Sequence, residues 1–175
     1  VNAKYAETIS GNIEENDFVW IHDYHLMSAA KHLHRRGLNV RLGFFLHIPF
    51  PPLDIFMKLP WRFEVLQDLL EFDLIGFQTP RDRRNFEQCV RALLPEVRVR
   101  GGGSLHTCYI DQRDVQLGCF AISIDFDEFA DMAASEEVSN GAWYIHEDLP
   151  DQHLVLGVDR LDVTKGIPLR FEAFR

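Results

Sequence analysis

The sequence has few cysteines, no long apolar run and no concentration of basic residues. Its three cysteines, Cys89, Cys108 and Cys119, lack the spacing of a metal site. A small and odd number of cysteines favours a reducing, cytoplasmic compartment over a disulfide-bonded secreted protein. We expect the thiols to be small buried side chains. The apolar runs fall far short of the ~18 residues of a membrane span, and the first ten residues lack the apolar segment of a signal peptide. We therefore expect no membrane partner.

The balance of charge is acidic, with 27 acidic and 18 basic residues and a net charge of −9. Without a basic stripe, nucleic acid is not an expected partner. A local pair of cations can still bind a phosphate, because distant charges are screened over ~10 Å. The 175 residues, 46% of them hydrophobic, suffice for a globular domain with its own core. Since the chain begins without Met and stops inside a predicted helix, we expect an internal segment of a longer protein.

Short apolar runs alternate with helical patterns along the first half of the chain. Strands are predicted at Phe18–Ile21, Val40–Leu46 and Leu74–Phe77, and Pro80 begins the helix after the third. Phenylalanines of the second strand and of the loop after it are predicted core residues. The alternation predicts an α/β fold, with a parallel sheet covered by helices on both faces. Two β-rich runs around residues 112–113 predict a hairpin.

The run VDRLDVTKGI at Val158–Ile167 combines two cations with a predicted helix start. It follows a predicted buried strand at His153–Gly157. In open α/β sheets, ligands bind at the carboxyl ends of strands, where the N–H groups of a helix start favour an anion. Arg160 and Lys165 would lie at such a place, which suits a diphosphate. The alternative is a solvated loop in which both cations pair with the aspartates of the run.

The sequence HDYH at His22–His25 directly follows the first predicted strand, so its side chains face an edge of the sheet. Asp23 is well placed there to accept hydrogen bonds from sugar hydroxyls. Alternatively, it only caps the helix that follows. Two histidines flanking an aspartate suggest zinc, but catalytic zinc usually needs three protein ligands and no third lies nearby. No metal site is predicted.

Polar side chains also follow the next two strands. His47 enters the loop IPFPP, whose prolines leave the flanking side chain little freedom, which suits ligand contact. The alternative is a buried histidine bonded to a backbone carbonyl. Gln78 stands at the end of the third strand. The residue types alone leave these alternatives open.

Four motifs occur in one order and together closely resemble those of the trehalose-6-phosphate synthase family of retaining glycosyltransferases. The resemblance runs from about Phe18 to the last residue. The motifs are VWIHDYHLM (Val19–Met27), GFFLHIPFPP (Gly43–Pro52), DLIGFQTPRDRRNF (Asp73–Phe86) and VDRLDVTKGIP (Val158–Pro168). The fold that this resemblance implies is of the GT-B type, in which the active site lies between two Rossmann-like domains.

On this resemblance the chain divides into three parts. Residues 1–126 would form most of the amino-terminal, acceptor-side Rossmann-like domain, without its start. Residues 127–152 would cross between domains, and the residue pattern there predicts a helix from Asp127 to Glu136. Residues 153–175 would begin the carboxyl-terminal domain that binds the nucleotide sugar.

The resemblance also implies roles for individual residues. The positions matching Arg160 and Lys165 hold the diphosphate of a nucleotide-sugar donor, and the position matching His47 lies beside the donor sugar. The acceptor, glucose 6-phosphate, would be bound by Asp23, Tyr24, His25 and Gln78. The implied reaction transfers glucose from UDP-glucose, or another nucleoside diphosphate glucose, and gives trehalose 6-phosphate with retention. It needs no metal or other cofactor, and a homo-oligomer is compatible with it.

The sequence departs from the family pattern at a few places. Val163 stands where an aromatic residue is common, and Pro52 and Leu53 alter the end of the proline loop, but neither change removes a charged contact. The family's glycine-rich loop, its acceptor-phosphate arginine and its ribose-binding segment are not in this sequence, so we expect the segment alone to be inactive. Two alternatives are a transferase with a phosphorylated polyol or cyclitol acceptor and a non-catalytic regulatory relative in a trehalose-synthesising complex. A zinc hydrolase built on HDYH is a third.

Overall fold

In the computed structural model, which describes residues 1–150 and 152–175, six strands form a single sheet. The chain divides into two units, Val1–Ser123 and Ile124–Arg175. The first unit contains α1 (Asn2–Ser10), β1 (Phe18–His22), α2 (Ala29–His34), β2 (Arg41–Leu46), α3 (Leu53–Phe56), α4 (Arg62–Leu69), β3 (Leu74–Phe77), α5 (Pro80–Leu93), β4 (Arg98–Gly102), β5 (Leu105–Ile110) and β6 (Arg113–Cys119). The second contains α6 (Phe126–Ala133), α7 (Glu136–Asp148) and α8 (Ile167–Ala173).

The strands lie in the order β1-β2-β3-β6-β5-β4. Neighbours from β1 to β6 run parallel, whereas β5 pairs antiparallel with both β6 and β4. The three strands predicted before residue 80 are confirmed to within one residue at each end. The predicted hairpin is confirmed as β5–β6, with Ile110 opposite Arg113. The sequence did not predict β4, which runs into the glycine-rich segment.

The core lies on one face of the sheet. Leu42, Phe44 and Leu46 of β2 alternate towards it and pack with the helices through residues such as Leu33 and Phe86, all of them at most 2% exposed. The predicted burial of the phenylalanines of β2 and of the IPFPP loop is confirmed. The helix after β3 starts as predicted, because the Thr79 hydroxyl accepts the Asp82 N–H and Pro80 occupies the first turn.

The opposite face of the sheet carries aromatic side chains over glycines. Phe18 and Trp20 of β1, in a strand predicted to be buried, are 50% and 60% exposed. Phe45 lies over Gly76, where a Cβ would come within 2.6 Å of its ring. Together with Phe120 these rings line a hollow of about 320 Å³. Within the first unit, the helices therefore cover one face of the sheet, whereas the sequence pattern predicted both.

The strand predicted at His153–Gly157 is wrong, since these residues form no regular structure. A strand needs a neighbour for its backbone N–H and C=O groups, and the described residues of the second unit contain no other strand. The helix predicted at Asp127–Glu136 is confirmed as α6, which ends three residues earlier than predicted, and α7 was not predicted. The Asp125 side chain caps α6, and the Ser135 hydroxyl accepts the Val138 N–H to begin α7.

No helix in the described parts of the chain has the length and apolar character needed to cross a lipid bilayer. The three-part domain division stays a prediction.

Candidate active site

The carboxyl ends of β1, β2 and β3 place Asp23, His47 and Gln78 in one row. The parallel register sets His22 opposite Phe45, and Leu46 opposite Phe77. The three polar residues each follow one of these strands directly, so they emerge at the same edge of the sheet. The sequence predicted that the three residues lie at an edge of the sheet. The strand order β1-β2-β3 shows in addition that they are neighbours along this edge, which the sequence alone did not predict.

Asp23 has a backbone conformation that residues other than glycine rarely adopt, with φ 68° and ψ 165°. Its N–H donates to the Phe45 carbonyl at 2.8 Å, and its Oδ1 accepts the Tyr24 N–H at 2.9 Å. The predicted capping role is thus present, at a 3₁₀ turn spanning Tyr24–Leu26. Such a conformation costs about 1–3 kcal/mol and is concentrated at functional sites. Capping alone does not require it, since ordinary capping residues have β-region backbone.

His47 is exposed and lies beside His22, rather than buried against a backbone carbonyl. The Nε2 atom of His47 is 2.9 Å from the Nδ1 atom of His22. Trp20 flanks His22, with ring centroids 4.4 Å apart, and Phe45 meets the His47 ring at 4.8 Å. The alternative of a carbonyl-bonded core histidine is therefore wrong for His47.

Tyr24 and His25 stack on one another, with ring centroids 3.9 Å apart, and both are exposed. The side chain of Asn2 fixes this turn, since its Nδ2 donates to the His25 carbonyl and its Oδ1 accepts the Ser28 N–H, each at 3.1 Å. The turn therefore presents a polar aromatic pair next to Asp23, held in place by α1.

Gln78 bonds to the chain that leaves β6. Its Oε1 accepts the Ile122 N–H at 3.0 Å, and the Phe120 N–H donates to the Phe77 carbonyl at 2.9 Å. These two bonds extend the pairing of β3 and β6 past the end of the strands. Gln78 thus fixes the segment that borders the row.

A buried ionic cluster anchors the turn between β4 and β5 to α5. Arg83 donates to the carbonyls of Gly103 and Ser104, the latter at 2.7 Å. Glu87 is 3% exposed, and its Oε1 lies 3.3 Å from Nε of Arg83 and 2.7 Å from Nδ1 of His106, within ion-pair distance but without hydrogen-bond geometry. Because Leu105 lies opposite Gly118 near the end of β6, this turn borders the same edge of the sheet.

Arg160 and Lys165 are exposed, and neither forms an ion pair within the described residues 1–150 and 152–175. Asp159 pairs instead with Arg170. Hydrogen bonds from the Thr164 N–H and hydroxyl lower the pKa of Asp162, and the two cations lower it further. Lys165 ends a 3₁₀ turn before α8, but Arg160 does not follow a strand. Within the described residues neither cation pairs with Asp159 or Asp162, so the alternative is wrong in its ion pairs, although both cations are exposed as it predicted.

No group of three or more His, Cys, Asp or Glu within the described ranges is arranged to hold a metal ion. Burial raises the pKa of the Cys89 thiol to about 11 and, with a contribution from the Glu87 carboxylate, that of Cys108 to about 12. Both are fully buried, so the prediction of small buried thiols is confirmed for them. Neither is suited to nucleophilic chemistry near neutral pH.

The sequence did not predict that His22 pairs with His47, and the HDYH pattern suggested only zinc as a partner for His22. The signal was its position as the last residue of a strand, with His47 just beyond the next strand. Which strands are neighbours, and in what register, decides whether two such side chains meet.

Comparison with known proteins defines the class of protein. The family model of glycosyltransferase family 20 matches residues 1–175, and the chain belongs to this family of glycosyltransferases. Among curated relatives, it is 42% identical over 175 residues to trehalose-6-phosphate synthase of Salmonella choleraesuis and 38% identical over 179 residues to that of Mycolicibacterium vanbaalenii. In both cases the match covers 99% of this chain and 36% of the relative.

Solved structures give the same result. A UDP-forming α,α-trehalose-phosphate synthase from Burkholderia xenovorans, in complex with glucose 6-phosphate, has a TM-score of 0.83 and 34% identity. The E. coli protein bound with UDP-2-fluoro glucose has a TM-score of 0.77 and 37% identity. Each covers 99% of this chain, which spans 38% and 37% of the respective structures. The predicted fold class, a Rossmann-like α/β sheet of the GT-B type, is confirmed.

Proposed function

We propose that the protein carrying this chain transfers glucose from UDP-glucose to glucose 6-phosphate and forms α,α-trehalose 6-phosphate with retention. The observation that supports it most is the row of Asp23, His47 and Gln78 at the carboxyl edge of a family 20 sheet. The relatives are named trehalose-6-phosphate synthases, and solved relatives bind glucose 6-phosphate and a UDP-glucose analogue. This segment spans little more than a third of those relatives, so the proposal concerns the full-length protein.

The acceptor is assigned to the residues around Asp23. An ionised carboxylate accepts hydrogen bonds from sugar hydroxyls, and such charge-assisted bonds are about twice as strong as neutral ones. Tyr24 and His25 provide an exposed polar face beside it, and Gln78 provides an amide along the same edge. These groups orient the anomeric hydroxyl of glucose 6-phosphate for attack. Holding two reactants in the correct geometry is by itself a large contribution to the rate.

The donor is assigned to His47 and to the cations Arg160 and Lys165. The bond between the anomeric carbon of the donor and its diphosphate oxygen breaks, and negative charge grows on that oxygen. Two cations bound to the diphosphate stabilise this charge directly. Arg160 and Lys165 are free of ion pairs within the described residues and can therefore take up a diphosphate without first breaking one.

Retention follows when the acceptor attacks from the side on which the diphosphate leaves. The acceptor oxygen bonds to the anomeric carbon, its proton passes to the departing phosphate oxygen, and UDP is released. No carboxylate base and no covalent glycosyl-enzyme are needed. Asp23 and His47 position and polarise the substrates in this mechanism.

The test is UDP release by the full-length protein with UDP-glucose and glucose 6-phosphate, and NMR of the product to establish that both anomeric carbons of its single glycosidic linkage have the α configuration. Glucose without phosphate and a cyclitol phosphate serve as acceptor controls. Turnover that is greatest with the cyclitol phosphate would replace the acceptor assignment. A folded protein that binds both substrates but releases no UDP would instead indicate the regulatory relative. The isolated 175-residue segment should show no turnover in the same assay.

A further inference from the structure

The side chain of His22, the last residue of β1, meets that of His47, the first residue after β2. Nδ1 of His22 lies 2.9 Å from Nε2 of His47. Beside them, the Asp23 N–H donates to the Phe45 carbonyl at 2.8 Å and closes the ladder between the two strands. The imidazole pair therefore rests on a fixed piece of backbone, although both rings are exposed at the edge.

A hydrogen bond between two ring nitrogens needs one proton, with a donor on one side and a bare acceptor on the other. The bond therefore restricts which tautomer each ring adopts and fixes the plane of the His47 ring. With its Nε2 engaged, Nδ1 is the nitrogen of His47 that remains for a substrate hydroxyl. In histidine sites generally, the partner of one ring nitrogen determines the state of the other.

We propose that His22 is a positioning residue that orients His47 towards the donor sugar through this bond. The inference rests on the proposed function, which places His47 beside that sugar. His22 itself need not touch either substrate. Its role is to hold one ring nitrogen of its neighbour, so that the other presents a defined donor or acceptor to the hexose.

The surroundings of the pair favour a built arrangement over a chance surface contact. The Trp20 ring flanks His22 at 4.4 Å between centroids, and the rings of Phe45 and His47 form an edge-to-face pair with centroids 4.8 Å apart. Phe45 is only 4% exposed and lies over Gly76, so it has little freedom to move. The stack thus supports both rings from the sheet side and leaves the edge open.

Two substitutions of His22 separate the hydrogen bond from the packing. His22→Phe keeps a flat ring against Trp20 but has no nitrogen. His22→Asn has a smaller side chain but keeps a polar atom at the δ position, and its amide can donate or accept. His22→Gln places the same amide one bond too far and is the matched control. All three are measured in the full-length protein, with thermal unfolding to confirm the fold.

We expect His22→Phe to lower kcat/KM for UDP-glucose about tenfold, the value of one lost hydrogen bond of ~1.4 kcal/mol. His22→Asn should stay within about threefold of the parent protein, and His22→Gln should resemble His22→Phe. The KM for glucose 6-phosphate should change little in all three. Folded His22→Phe protein with the parent donor kinetics, or His22→Asn protein as impaired as His22→Phe, would overturn the proposal.

A double-mutant cycle gives a second, independent test. If His22 acts through His47, then His22→Phe should cost nothing further in a His47→Ala background. Additive losses would show that His22 acts by another route and would overturn the inference. Failure of the proposed function is distinguishable, because the parent protein would then release no UDP with glucose 6-phosphate.

Discussion

The side-chain oxygen of Gln78 accepts the backbone N–H of Ile122 at 3.0 Å, which joins the end of β3 to the chain leaving β6. The side-chain amide of Gln78 therefore stabilises the fold, in addition to any contact with substrate. Its two roles respond differently to substitution, because a carboxylate at the same position retains the accepting oxygen but adds a negative charge.

We expect Gln78→Ala to lower the free energy of unfolding by about 0.5–1.5 kcal/mol, the net value of one hydrogen bond. Gln78→Glu should retain that stability but raise the KM for glucose 6-phosphate at least about tenfold, because like charges repel at short range. Denaturant unfolding and acceptor titrations of the full-length protein measure the two effects. An unchanged acceptor KM in Gln78→Glu would remove Gln78 from the acceptor site.

Asp23→Asn should raise the KM for glucose 6-phosphate about ten- to a hundredfold, as expected for loss of a charge-assisted bond of ~1.5–3 kcal/mol. The KM for UDP-glucose should change much less. The amide oxygen can still accept the Tyr24 N–H, so the cap survives the change. If only thermal stability changed, Asp23 would be a capping residue and nothing more.

At position 23 we expect a glycine variant to be more stable than an alanine variant, because of the unusual backbone conformation of Asp23. Alanine is normally the better residue than glycine, but at φ 68° and ψ 165° only glycine is unstrained. Asp23→Gly should therefore be about 1 kcal/mol more stable than Asp23→Ala in chemical denaturation. Both variants lack the carboxylate and should be equally poor with the acceptor. Greater stability of the alanine variant would contradict the strained conformation.

Arg160→Ala and Lys165→Ala should each lower the rate with UDP-glucose ~100- to 1000-fold, the usual effect of removing one contact to developing negative charge. Arg160→Lys should rescue poorly, because an ammonium cannot replace the planar guanidinium. Lys4→Ala, on the exposed side of α1, is the matched control for loss of a cation. Donor kinetics close to those of the parent protein in either alanine variant would refute the diphosphate assignment.

Gly76→Ala should destabilise the sheet by about 1–3 kcal/mol through overpacking. Its Cβ would lie 2.6 Å from the Phe45 ring and 3.1 Å from that of Phe120, and Phe45 is too buried to yield easily. Gly102→Ala is the control, because a Cβ there meets nothing within 4 Å. Equal unfolding free energies for the two variants would show that the rings can move aside.

The buried thiols predict a loss of stability in alkali. The folded-state pKa values of Cys89 and Cys108 are about 11 and 12, above their ordinary value of 9.0. The unfolded chain therefore loses these protons first, so their contribution to stability is complete below pH 9 and declines from pH 9 to about 11 for Cys89 and to about 12 for Cys108. Cys89→Ala and Cys108→Ala should each reduce this decline in unfolding experiments at pH 8 and 10.5. If the loss of stability between pH 8 and 10.5 were the same in these variants, the raised pKa values of the two thiols would be contradicted.

The sequence was sufficient for the strands that carry the row, because each is a short apolar run followed directly by polar residues. Its prediction failed at His153–Gly157, where the apolar pattern was present but the described residues of the second unit contain no strand to pair with. It missed the start of α7, although Ser135 is a normal capping residue. Whether two side chains such as those of His22 and His47 meet depends on strand order and register, which are properties of the assembled sheet.

The connections within the sheet imply an order of assembly. Only Gly103 and Ser104 separate β4 from β5, whereas β1 and β2 are joined through α2 and pair only after a much longer loop has closed. Short hairpins form within microseconds, and contacts distant in sequence come later. The three-stranded meander should therefore form early, and the edge bearing Asp23 and His47 should be completed late. In pulse-labelled hydrogen exchange, amides of β5 and β6 should gain protection before the Asp23 N–H.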